Sequence, residues 1–141
     1  LALAAETGDL RYMVGLRNIL GMAALGQGDY RQANLQGREA LALLRQIGLR
    51  RIIAVAFDLL ASAAVGLGHY ARAARLYGAA EATREADGLA PWSAADQAIY
   101  GPHLRTLRAR HDAATLAADW AEGHRMSQDR AIAYGLAEAA P

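Results

Sequence analysis

Gly26-Gln27-Gly28-Asp29-Tyr30-Arg31-Gln32-Ala33 is echoed forty residues on by Gly66-Leu67-Gly68-His69-Tyr70-Ala71-Arg72-Ala73. The shared frame is Gly-x-Gly-x-Tyr-x-x-Ala. One such octet could be a phosphate-binding turn. Two in register, each between long apolar-periodic segments, mark an internal repeat. A phosphate loop would also follow a strand and carry a third Gly or a Lys-Ser/Thr. Neither octet does, so each reads as the elbow of a helix pair. Gly8, Gly48 and Gly88 are also spaced by forty. Each is expected to end a helix as a left-handed cap.

The segments outside the octets carry helical periodicity. Leu10, Met13, Val14, Leu16, Ile19, Leu20, Ala23 and Ala24 predict a helix over Asp9–Leu25, with Gly21 as a point of close helix approach. Asp29 caps a second helix, to about Gln46, which buries Ala33, Ala40, Leu41 and Leu44. The second unit repeats this with helices over Arg50–Val65 and His69–Ala86. Turns this short force the helices of a unit to lie antiparallel. Ser93, with Asp96 three residues on, begins a helix to about Arg110. Pro102 predicts a kink or break near Tyr100. Asp112 caps a helix that Gly123 ends, and Ser127 caps a last one to about Ala139, packed back by Ile132, Tyr134 and Leu136. Residues 1–141 thus read as one all-α domain. Residues 1–8 end a preceding repeat, 9–48 and 49–88 are two repeats, 89–126 a divergent third, and 127–141 a helix that covers the open end of the stack.

Composition agrees with helix. The 141 residues are 54% hydrophobic and 21% charged, with three prolines and no cysteine. The net charge is +1, and all 15 basic residues are Arg. Arg50-Arg51 and the group Arg105, Arg108 and Arg110 read as solvated faces, and direct nucleic-acid binding is not expected. No apolar run reaches the roughly 20 residues of a membrane span. No signal peptide is recognised, and a cytoplasmic location is expected. The chain begins at Leu1 and reads as a fragment of something longer.

The spacing within each helix pair resembles the tetratricopeptide repeat. The first unit offers Leu20-Gly21, Gly28-Asp29-Tyr30, Ala33 and Ala40. The second offers Phe57, Leu60-Ala61, Gly68, Tyr70, Ala73, Tyr77 and Ala80. Arg17 and Gly37 depart from bulky positions, the period is forty rather than about 34, and Gly48 and Gly88 replace the usual Pro. The stretches Arg75–Ala82, Trp120–Ser127 and Arg130–Tyr134 resemble the helical-repeat tail of LuxR-type and AfsR-type ATP-binding bacterial transcriptional regulators. That resemblance implies a right-handed superhelix acting as a sensor or docking region, with nucleotide-binding and output domains elsewhere in the polypeptide.

No residues are expected to catalyse, and no cofactor or metal is expected. His69, His103, His111 and His124 lack metal-ligand spacing. Glu81 and Glu85, one turn apart, read as solvent-facing. Trp92 and Trp120 read as packing anchors. The repeat pattern places Asn18, Met22, Asp58 and Ser62 on the concave side, where first helices would line a groove. Such a groove suits a peptide, a partner helix or a small effector. The expected partner is another protein or a further domain of the same polypeptide, with homodimerisation through the apolar N-terminal side. The alternative is a stand-alone scaffold. An enzyme or nucleic-acid binder built on repeats would need a clustered acid/base pair or a continuous Arg stripe.

Overall fold

The structure is a computed structural model that describes residues 2–48 and 52–137; of residues 2–7 only the backbone course is described. Seven helices account for most of these residues, and there is no strand among them. They are α1 (Ala2–Gly26), α2 (Tyr30–Ile47), α3 (Ile53–Gly66), α4 (Tyr70–Ala86), α5 (Ala94–Arg110), α6 (Ala113–Arg125) and α7 (Gln128–Leu136). Arg50-Arg51, the expected helix start at Arg50 and the expected helix end at Ala139 lie outside the described residues.

The two octets form the same turn. Gly28 N–H donates to Leu25 O (3.1 Å) and Asp29 N–H to Ala24 O (2.9 Å). Gly68 N–H donates to Val65 O (3.0 Å) and His69 N–H to Ala64 O (2.8 Å). This pair of bonds closes a helix on a left-handed residue. Gly28 and Gly68 adopt it at φ 77° and 81°, a region that costs other residues energy. Asp29 then caps α2 by accepting from Gln32 N–H. His69 holds the matching position before α4 without a side-chain cap bond.

Within each unit the helices pack as an antiparallel pair. Arg17 meets both Gln36 and Glu39 across the first elbow. The units join where small residues receive large ones. Leu59 of α3 fits against Gly21, and Leu60 against Gly37, where a Cβ would crowd it. The Tyr30 ring lies on Gly66, where any side chain would overlap it. The glycine at the end of the second octet's helix therefore makes room for the tyrosine of the first. Phe57, Leu60, Leu41, Leu44, Leu76, Tyr77 and Leu107 build the main core around α3.

Four expectations are corrected. Gly8 does not end a helix, because α1 runs through it without a break. One glycine costs up to about 1 kcal/mol inside a helix, which does not interrupt a segment helical on both sides. Pro102 likewise does not break α5, which runs from a complete Ser93–Asp96 capping box to Arg110. Gly123 lies inside α6 rather than at its end, pressed against the Arg75 carbonyl of α4. Finally, α7 does not cover the end of the stack. It packs on α2 and α4, across the seam between the two units. There Gly135 lies against Leu41, Leu60 and Leu76. Arg72 donates to the carbonyls of Tyr134 (3.0 Å) and Gly135 (2.9 Å), and Arg38 to that of Leu136 (2.8 Å). The C-terminal carbonyls of α7 gain two cationic donors, the favourable sign for that end of a helix.

Between α5 and α6 there is almost no contact. The former lies mainly on α3 and the latter along α4, so the third segment divides between the two helices of the second unit.

Candidate functional site

Asp58 and Ser62 stand one turn apart on α3, facing α4 and the 87–93 connector. Asp58 is 3% exposed and Ser62 fully buried. Arg84 Nη1 donates to Asp58 Oδ2 at 2.7 Å, and Trp92 Nε1 donates to the same oxygen at 3.0 Å. Ser62 and Tyr77 share a hydroxyl bond of 2.7 Å. Tyr77 is stacked on Trp120 with ring centroids 5.7 Å apart and meets Trp92 edge-on at 5.8 Å. Trp92 in turn contacts Tyr100 of α5 at 5.6 Å.

The groove expected on this side is therefore closed at Asp58 and Ser62. The physical reason is the connector after Gly88, which brings Trp92 over α3, and α5, which follows it onto the same face. These two residues bind the fold's own groups. Burial pushes the Asp58 carboxyl up to about 7, against the opposing pull of Arg84 and the Trp92 N–H. Burial also raises the phenols of Tyr77 and Tyr100. Asn18 is 7% exposed, and its Oδ1 has no hydrogen-bond partner among the described residues.

Of the four expected residues, Met22 stands at an open surface. It lines a cavity of about 600 Å³ between the first elbow and α5, with Leu25, Tyr30, Ile99, Pro102 and His103 among its walls. The His103 ring meets the Tyr30 ring edge-on at 5.9 Å. Burial lowers the His103 pKa, so the imidazole is neutral at neutral pH. Pro102 has no N–H, and the carbonyl of Ala98, also on the cavity wall, loses its helical donor. The opening thus offers apolar walls and a neutral imidazole, a set suited to reversible binding.

A second open feature is the outer face of α1. Tyr12 is 73% exposed and Ile19 65%, and Met13, Leu16 and Leu20 are exposed beside them. Forty residues on, the same positions are Ile52, Ile53, Ala56, Leu59 and Leu60. Ile52 is half-buried and the other four are buried, in the helix that α2 covers. Gly26 shows the same asymmetry: among the described residues nothing stands over it, whereas its counterpart Gly66 carries the Tyr30 ring.

Among the described residues, histidines meet carboxylates in two places. His111 Nε2 lies 3.1 Å from Asp119 Oδ2, and Asp119 also pairs with Arg75 at 3.0 Å. His124 lies against Glu81 and Glu85. No helix among the described residues is long and apolar enough to cross a membrane. Sequence reasoning missed the partners Arg84 and Trp92 of Asp58, because 26 and 34 residues separate them from it. A scan of family models, a search of curated proteins and a search of solved structures each found no match to this chain.

Proposed function

We propose that this chain is a non-enzymatic interaction or ligand-sensing module, the helical-repeat region of a multidomain bacterial transcriptional regulator of the LuxR/AfsR type. In this reading it is a cytoplasmic, tetratricopeptide-like superhelix with a forty-residue period. It docks on another domain of its own polypeptide or on a separate protein. A small effector in the cavity at Met22 biases that docking by a population shift.

The observation that carries the reading is the outer face of α1. Its apolar residues occupy the positions that α3 buries under α2, and Gly26 repeats a socket that Tyr30 fills at Gly66. A surface built to the pattern of an internal interface suits an amphipathic helix with small residues opposite Ile19 and Leu20. Its contiguous apolar residues favour association over chemistry.

The test is site-directed photo-crosslinking in the native host. A crosslinking residue at Ile19 should capture an amphipathic helix of a defined partner or of the same polypeptide, mapped by mass spectrometry. The same residue at Arg108 should not. Equal, unspecific yields at the two positions would remove the docking reading. Hydrolysis of ATP by this chain alone would remove the non-enzymatic one.

A further inference from the structure

Glu81 and Glu85 project from α4 towards His124 of α6. His124 Nε2 lies 2.8 Å from Glu85 Oε2 and 3.8 Å from Glu81 Oε1. One potential ligand atom from each of the three residues lies within 4.8 Å of the other two. Around a tetrahedral ion with bonds of about 2.0–2.2 Å, neighbouring ligand atoms stand about 3.4 Å apart. The two nitrogen–oxygen separations bracket that value, so small side-chain rotations would place an ion between them.

The helices that carry these groups are locked together beside them. Gly78, three residues before Glu81, lies against the Trp120 carbonyl, and Gly123, next to His124, lies against that of Arg75. The backbones of α4 and α6 touch at both points, which fixes the spacing of the ligands before any ion arrives.

Charge favours a cation here. Glu81, Glu85 and the cap residue Asp87 gather where the α4 carbonyls already carry partial negative charge. Two carboxylates at i,i+4 destabilise a helix further. Arg84, the basic residue of that last turn, points inward to Asp58. On α6, His124 and Arg125 are the basic groups at this place, and both line an opening of about 540 Å³ shared with Glu81. That opening leaves room for water on the free coordination positions.

We propose that Glu81, Glu85 and His124 bind a divalent transition-metal ion of the zinc type, which clamps α6 to α4. One imidazole nitrogen with two carboxylates suits zinc, whereas calcium takes more oxygen ligands than converge here and magnesium prefers an all-oxygen, largely hydrated shell. The inference is independent of the function proposed above.

The test uses the full chain without a purification tag, stripped with a chelator. Zinc is titrated by calorimetry and cobalt(II) by visible absorption. One equivalent should bind, with the strong visible bands of four-coordinate cobalt. His124→Gln and Glu85→Gln should each weaken binding tenfold or more, while Asp129→Asn on α7 leaves it unchanged. Zinc should also raise the melting temperature of the wild type and not that of Glu85→Gln, with circular dichroism reporting that each variant is folded. Absence of saturable binding overturns the proposal. So does one-equivalent binding that both ligand variants leave intact.

Discussion

Gly78 and Gly123 are where a single methyl group does the most damage. An added Cβ at Gly78 would overlap the Trp120 carbonyl, and at Gly123 that of Arg75. In both places the obstacle is backbone, which cannot swing aside, so α4 and α6 must separate. Gly123→Ala should cost about 1–3 kcal/mol or more, at the upper end of overpacking effects, read from urea denaturation. Among the described residues Gly8→Ala meets nothing within 4 Å, and it should be neutral or mildly stabilising by the same measurement. Asp58 gives a residue-scale prediction in pH. Its carboxyl is held at about 7 in the fold, above the usual 3.8, because burial outweighs Arg84 and Trp92 and Asp96 adds a smaller upward push. The folded chain therefore keeps a proton that the unfolded chain has released across that interval. The resulting stability is fully present below about pH 4 and is lost as pH rises to about 7. Relative to Asp58→Asn, the wild type should lose stability over that window and run parallel to it above. Two parallel curves throughout would show a carboxyl with no raised pKa.

At the scale of elements, α7 depends most on its neighbours. Nine residues are too few for a stable helix in water, so its order comes from docking. Ala131, Ile132 and Gly135 supply the buried contact, and Arg72 and Arg38 donate to its last carbonyls. Arg72 is itself 8% exposed and reaches the Tyr134 ring at 5.2 Å, so its stem packs as its head bonds. Hydrogen bonds from a charged donor contribute about 1.5–3 kcal/mol each. Arg72→Ala should therefore free α7 while the α3 core stays folded. Amide exchange should show it: residues 128–136 become fast, and Phe57–Ala64 remain slow. Uniform acceleration in all helices would mean that α7 is integral to the core rather than strapped onto it. The α1–α2 and α3–α4 pairs were legible in the sequence, because their elbow glycines and their 3.6-residue periodicity are local. The courses of α5, α6 and α7 were not. Nothing local in Ala94–Arg110 or Ala113–Arg125 states that one lies on α3 and the other on α4.

For the whole molecule, the asymmetry between α1 and α3 dominates. Repeats bury their faces only against neighbours, and the described residues leave the α1 face uncovered. A net charge of +1 supplies little repulsion to oppose association. The weight-average mass in sedimentation equilibrium should rise with concentration, and Leu16→Arg with Ile19→Arg should return it to the monomer value without loss of helicity. A mass independent of both concentration and substitution would show that this face does not self-associate. By itself the sequence determined the all-helical class, the two elbows, the Asp29 cap and the close approach at Gly21, since each follows from chain-local geometry and periodicity. It also marked Asn18, Met22, Asp58 and Ser62 as one set, which the fold divides: Met22 borders an open cavity, and the other three are buried. Only the tertiary structure decided that Trp92 seals Asp58, that two arginines strap α7 over the seam, and that His124 meets Glu81 and Glu85. These pairings join residues 34 to 98 positions apart. The side chains concerned are polar and carry no periodic signature, so their meeting is set by the way α4 packs with its neighbours, not by any pattern along the chain.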